Sequence, residues 1–385
     1  MSLAMSMTRY GRAVALVVAS ILVTAACSAG ATSAPSAPTS NAVAPSNAVA
    51  PSSANTASGG STHKPFIVLS NAFIGNGWRQ TMVNVFEAAA NQAQADGLIG
   101  KYEAVNAPGA NSATAQIAQL QTVILQKPDA IIMDPASGTA LDAVIQQACS
   151  AGILVIAFDS AVSAPCAYQL YDNYADWGHD STLPALKAIN NQGNVIVVRG
   201  VVGSLPESQF YAASMADIAK DPKVHVVANV TGYADDSKTQ SAVLSVLGGL
   251  PKVDAVIGSV AGLGAARAFQ AAGRPIPVVG FGTSGNDLSY WKNNNVNNGS
   301  FSVLTDPGQS IAAMWDAIDI LSGKSMPKVI TTPLMLIPQQ DRDAWLKVLT
   351  PTEYAYWPWT QSLLEQQVQA NLNHLPDVIP GVPTN

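Results

Sequence analysis

From Phe66 to Leu304 the chain alternates short apolar runs with segments of helical period, and that alternation leaves few folds open. Phe66 to Leu69, Ala130 to Met133 and Ile153 to Phe158 are apolar runs of strand length, bounded by polar residues or Gly and Pro, as buried parallel strands are. Trp78 to Ala95, Ala113 to Gln126 and Thr139 to Ala151 carry apolar residues at helical spacing, which makes a βαβ series. A second series follows, with strands Val195 to Val198, His225 to Val230 and Ala255 to Ile257 and helices Ser208 to Lys220, Ser237 to Leu247 and Leu263 to Ala272. Strand Val278 to Phe281, helix Asn286 to Asn293 and strand Phe301 to Leu304 complete it. Two open parallel sheets are implied, and in such sheets ligands sit beyond the carboxyl ends of the strands.

The chain starts with export chemistry. Arg9 and Arg12 precede the apolar run Ala13 to Val23, and Thr24-Ala25-Ala26-Cys27 follows. This is the layout of a secretory signal with a lipoprotein cleavage site, its run too short to remain as a span. Cys27 is expected to become the lipid-bearing N-terminus, which puts the protein on the outer face of the cytoplasmic membrane; the alternative is an ordinary secreted protein. Arg9-Tyr10-Gly11-Arg12 is not a twin-arginine pair, which favours export unfolded. Residues 28–63 are a low-complexity stretch of Ala, Ser, Pro, Thr, Asn and Gly with a duplicated hexapeptide, Ser40 to Pro45 and Ser46 to Pro51. It can build no core and reads as a solvated tether of about 35 Å span.

Charged residues are 11% of the chain, against about 25% in ordinary domains, and the net charge is −6. With no Lys/Arg cluster to displace counterions, a nucleic-acid partner is excluded. No later apolar run is long enough to span a membrane, so the only membrane contact expected is the lipid. Cys149 and Cys166 remain once Cys27 is assigned, and in an oxidising compartment they read as a disulfide; a buried free thiol at Cys149 with Cys166 exposed is the alternative. His63, His179, His225 and His374 show no metal-ligand spacing with either cysteine, and no cofactor is implied.

From about Pro65 to Gln340 the chain resembles the type I periplasmic binding proteins of the ribose and galactose class. The resemblance is carried by Ser70-Asn71, Gly75-Asn76-Gly77-Trp78-Arg79, Ile132-Met133-Asp134-Pro135-Ala136-Ser137, Gly152-Ile153 and Phe158-Asp159-Ser160. Asp172-Asn173, Arg199-Gly200-Val201-Val202-Gly203, Phe269-Gln270-Ala271-Ala272-Gly273 and Val278-Val279-Gly280-Phe281 extend it in the same order. The resemblance implies an α/β fold of two Rossmann-like, doubly wound parallel-sheet lobes joined by a three-crossover hinge. With the signal (1–26) and tether (27–63) before it and a C-terminal extension (341–385) after it, the resembling region divides into an N-terminal lobe (64–171 and 307–327) and a C-terminal lobe (172–306 and 328–340). The resemblance further implies a monomer, not an enzyme, that binds a small sugar or polyol in the interlobe cleft and delivers it to an ABC permease.

A pyranose has apolar faces and a polar rim, so its sites pair aromatic rings with forked or charged side chains. Asn76, Trp78 and Arg79 are candidates after the first strand, with Trp78 either stacking on the sugar or packing into the core as a helix begins. Asp134 and Asp159 each follow an apolar strand; Asp134 either meets ligand or caps the next helix. Asn173 follows the first crossover. In the second lobe, Leu205-Pro206-Glu207-Ser208-Gln209-Phe210 stands where many relatives place an arginine, leaving Glu207 or Gln209 to serve. Gly258-Ser259-Val260-Ala261-Gly262 offers one hydroxyl where an Asn-Asp pair is common, and Gly282 stands where an aspartate often reaches the sugar. Two expectations follow: a smaller or less hydroxylated ligand than a hexose, or compensation by Tyr233, Asn286 and Asp306. A non-sugar metabolite or signal molecule on the same fold is the alternative ligand.

Gly280-Phe281-Gly282-Thr283-Ser284-Gly285 matches G-x-G-x-x-G, with Asp306 about twenty residues on, as a dinucleotide site requires. Its late position and the export signal argue against that chemistry, and the glycines read as a tight turn at the cleft mouth. A secreted sugar-processing enzyme would rest on Asp134 and Asp159 as a carboxylate pair. A sugar-responsive repressor would carry a helix-turn-helix in place of the signal. In the extension, Asp341 to Leu349 and Thr360 to Leu372 read as helices around the cluster Tyr354, Tyr356, Trp357 and Trp359, expected to pack on the second lobe or hinge or to offer a partner surface.

Overall fold

The apolar runs form strands and the helical-period segments form helices in a computed structural model that describes residues 63–382 except 110, 203 and 297. The signal, Cys27 and all of the tether but His63 lie outside the described residues. In chain order the first lobe opens with β1 (Phe66–Asn71), α1 (Gly77–Ala95), β2 (Lys101–Asn106) and α2 (Ala113–Leu125). It continues with β3 (Ala130–Asp134), α3 (Asp142–Ser150), β4 (Leu154–Phe158) and β5 (Tyr168–Asp172). The second lobe follows as α4 (Tyr174–Ala188), β6 (Gly193–Arg199), α5 (Leu205–Ile218), β7 (Val224–Thr231) and α6 (Asp236–Leu247). It goes on through β8 (Ala255–Gly258), α7 (Gly262–Ala271), β9 (Val278–Phe281), α8 (Gly285–Asn293) and β10 (Phe301–Leu304). Then come α9 (Gln309–Leu321), β11 (Val329–Thr332), β12 (Met335–Ile337), α10 (Arg342–Val348) and α11 (Gln361–Leu372).

Two six-stranded sheets result, ordered β11-β5-β4-β3-β1-β2 and β12-β10-β9-β8-β6-β7. Every pairing is parallel except β10 with β12. β3 is buried along its whole length, as a central strand covered on both faces must be. α1 starts where Asn76 Oδ1 accepts the Arg79 N–H at 2.9 Å, and it buries Met82, Phe86, Ala90 and Ala93 along one face. Cys149 of α3 and Cys166 before β5 are joined as a disulfide, with their Cα atoms 6.4 Å apart.

One buried carboxylate ties the three crossovers together. Asp172, at the first, accepts the Asp306 N–H of the second at 3.1 Å and the Thr332 hydroxyl of the third at 2.7 Å. The third passage comes later than expected. β11 pairs with β5 in the first sheet, so the chain changes lobe between Thr332 and Met335 rather than near Lys328.

The extension spans both lobes. α10 packs against α8 of the second, while α11 packs against α9 and β11 of the first. Trp345, Trp357 and Trp359 are all buried.

Candidate functional site

Loops at the carboxyl ends of the strands of both sheets line one cavity of about 740 Å³. The first lobe contributes Asn76, Trp78 and Arg79 after β1, Ser137 after β3, and Asp159 and Ser160 after β4. Across from them stand Val201, Leu205 and Pro206 after β6, Ser259 and Val260 after β8, and Tyr174 and Trp177 from α4.

Arg79 is held from behind. Its Nη1 lies 2.5 Å from Asp134 Oδ2 and donates to Asn71 Oδ1 at 2.8 Å, while Asn71 Nδ2 donates to Asn106 Oδ1 at 2.8 Å. Asp134 is fully buried at the end of β3 and does not itself line the cavity; it positions Arg79. Asp159 is half-buried and faces the cavity, its backbone N–H donating to Gln309 Oε1 of α9 at 2.8 Å. Burial pushes both carboxyls up, Asp134 more than Asp159, and the Arg79 guanidinium opposes the shift in each. Buried Gln116 fixes the loop after β3, donating to Asp134 O at 3.0 Å and accepting the Ala136 N–H at 2.7 Å.

Four residues of the cavity wall hold left-handed backbone without being glycine: Asn111, Asp159, Ala234 and Val260, with φ of 49°, 59°, 52° and 51°. Val260 is β-branched, so its φ costs energy that the surrounding loops must hold in place. Trp78 packs against the core, as one of the two expectations had it, and also lines the cavity. Its indole N–H donates to Thr305 O at 3.0 Å, tying α1 to the second crossover.

The second-lobe candidates fall differently. Glu207 is buried and lines the cavity, but its carboxylate is engaged by Arg199 through Nε at 2.6 Å and Nη2 at 2.9 Å. Arg199 in turn lies over the Tyr211 ring, 4.1 Å from its centroid. Gln209 lies exposed on α5, lining a separate depression with Asn173, whose Oδ1 caps α4 by accepting the Ala175 and Asp176 N–H groups. Tyr233 is 55% exposed at the edge of the lobe, and Asn286 is exposed on α8. Asp306 is fully buried with both oxygens occupied: Oδ1 accepts from Gly308 N and Trp357 N, and Oδ2 from Trp359 Nε1. None of these three lines the cavity, so the expected compensation is absent from its wall.

The glycines of the G-x-G-x-x-G run make no left-handed turn; they yield space. A Cβ on Gly285 would stand 2.2 Å from Thr350 O, and one on Gly282 would stand 3.1 Å from the Asp287 carboxyl. The N-terminus of α8, where a phosphate would bind, is occupied instead, since Gly285 N donates to Glu353 O and Asn286 N to Pro351 O.

A sequence model of the periplasmic binding protein domain matches residues 67–325. The chain belongs to the type I periplasmic binding proteins. Within them it falls among the ABC transporter solute-binding proteins. A crystal structure of an ABC transporter solute binding protein from Thermobispora bispora is 56% identical, with a TM-score of 0.78, covering 83% of this chain and 99% of that one. The ribose import binding protein of Bacillus subtilis is 25% identical over 234 residues, 60% of this chain and 75% of that protein. The xylitol-binding protein of Mycolicibacterium smegmatis is 26% identical over 175 residues, 44% of this chain and 50% of its own length.

In this periplasmic binding protein the residues that sequence reasoning missed are Tyr174, Trp177 and Tyr354, all lining the cavity. Tyr174 and Trp177 sit one and four residues past the Asn173 cap, so a cap followed by aromatics on one helix face was the available signal.

Proposed function

We propose that the protein captures a small sugar or polyol between its lobes and delivers it to an ABC permease, binding its ligand without turning it over. Arg79 carries this reading: a guanidinium clamped by Asn71 and Asp134 at a cavity wall shared with Trp78 and Asp159 suits a ring that has an apolar face and a polar rim. The names of the ribose and xylitol relatives point to the same ligand class. The protein acts as a monomer, exported and held by lipid on Cys27 at the outer face of the cytoplasmic membrane. With Glu207 committed to Arg199 and apolar Val201, Leu205 and Val260 opposite, the ligand carries fewer hydroxyls toward the second lobe than a hexose would.

Thermal-shift screening of the full-length protein against D-ribose, xylitol, D-allose, myo-inositol, D-galactose and D-fucose tests the reading. A ligand at 100 times its dissociation constant stabilises by about 2.7 kcal/mol, a shift of a few degrees. No shift with any of the six contradicts it and favours a non-sugar metabolite.

A further inference from the structure

The family domain ends at residue 325, yet the cavity wall does not. Tyr354 comes from the C-terminal extension and lines the cavity together with Trp78 and Val260. Its place is fixed from both lobes. Thr81 Oγ1 of α1 accepts the Tyr354 N–H at 3.1 Å, across 273 residues of chain, while Ala355 N donates to Thr283 O at 3.0 Å in the second lobe. Tyr354 also bridges to Ser284 as an antiparallel pair.

Both lobes leave room for this segment at the first residue of a helix. A Cβ on Gly77, which opens α1, would lie 2.9 Å from Thr352 O and 2.9 Å from Tyr354 Cε2. A Cβ on Gly285, which opens α8, would meet Thr350 O. Further on, Trp357 and Trp359 donate to Asp306 at the second crossover, so the segment is anchored on either side of Tyr354.

We infer that the extension completes the binding site, with Tyr354 as a ligand-contacting residue that selects for cyclic over open-chain ligands. The inference rests on the sugar-binding reading above. Tyr354 lines the same cavity as Trp78, and an aromatic side chain there suits the apolar face of a sugar ring better than an extended polyol. The Tyr354 hydroxyl, protonated at neutral pH as any phenol is, can donate a hydrogen bond. The second lobe, short of polar anchors, thus gains a hydroxyl and an aromatic face from outside the family domain.

Calorimetry on the full-length protein, its Tyr354→Ala and Tyr354→Phe variants and a Tyr356→Ala control tests this, with D-ribose and D-galactose as cyclic probes and xylitol as the open-chain probe. Tyr354→Ala is expected to weaken the cyclic probes by about tenfold and xylitol by less, while Tyr354→Phe, which keeps the ring, stays closer to wild type. Tyr356→Ala, in the same segment but off the cavity, leaves affinities unchanged. Should wild type bind and Tyr354→Ala bind equally well, the Tyr354 contact is overturned and the sugar reading stands; equal loss of cyclic and open-chain probes, with the fold intact, overturns the selection for cyclic ligands. A wild type that binds none of the probes overturns both. The Phe variant and melting curves of all four proteins separate loss of contact from loss of fold.

Discussion

Arg79 Nη1 lies 2.5 Å from Asp134 Oδ2, and the same nitrogen donates to Asn71 Oδ1 at 2.8 Å. A long, flexible side chain is thereby fixed before ligand arrives, which reduces the entropy lost on binding. Asp134→Ala should release Arg79 and weaken ligand binding by about tenfold. Stability should fall by about 3–5 kcal/mol, because removing one partner of the pair leaves the largely buried Arg79 guanidinium without its counter-charge. Calorimetry and urea denaturation check the two halves; unchanged affinity would mean that Arg79 needs no support.

Gly285→Ala should destabilise the protein by about 1–3 kcal/mol, since the new methyl meets the Thr350 carbonyl, a backbone atom that cannot rotate aside. Thermal unfolding measures this. A variant as stable as wild type would show that the extension is loosely held.

Buried Asp316 of α9 has neither carboxyl oxygen hydrogen-bonded among the described residues, and burial beside Asp319 pushes it from an ordinary 3.8 to about 7. Asp306 is pushed by burial to about 7 despite its three hydrogen bonds. A carboxyl whose folded value is raised stabilises the fold when protonated, and that contribution is lost as pH climbs through about 7. The unliganded protein should therefore melt higher at about pH 5 than at about pH 8. Asp217 and Asp254, whose values are lowered, act the other way, but only as pH falls below the ordinary carboxylate range. Asp316→Asn should raise stability by about 2–3 kcal/mol more at about pH 8 than at about pH 5, where the unfolded carboxyl is already ionised and part of the gain is present, as denaturation at the two pH values would show. A gain equal at both would contradict the titration of Asp316.

Reducing the Cys149–Cys166 bond, which closes a separation of 17 residues, should cost about 3 kcal/mol by freeing the unfolded chain. It should leave ligand affinity unaltered, because neither cysteine lines the cavity. Melting and titration with and without reductant check both statements.

Strands whose burial is complete were legible as apolar runs, β3 most clearly. β2 was not, because this edge strand reads Lys-Tyr-Glu-Ala-Val-Asn and is only half covered. α4 carries Gly178 and Pro184 within it, residues that normally argue against a helix, and its packing against α5 overrides them. β11 hid the third crossover, since nothing local in Val-Ile-Thr-Thr says which sheet it joins. The first-lobe wall of the site was readable because Trp78, Arg79 and Asp159 closely follow strands. Tyr354 was not, because its position depends on its own hydrogen bond to Thr81 and that of Ala355 to Thr283, which no local pattern encodes.

The measurement that most directly tests the account is calorimetric titration of wild type and Asp159→Asn with the sugar that gives the largest thermal shift. Asparagine keeps the shape and tolerates the left-handed backbone at this position, so only the charge facing the cavity is lost. The account predicts micromolar or tighter binding by wild type and a loss of about tenfold or more in the variant, with the melting temperature nearly unchanged. Equal binding by both proteins would contradict a ligand site at Asp159 and Arg79.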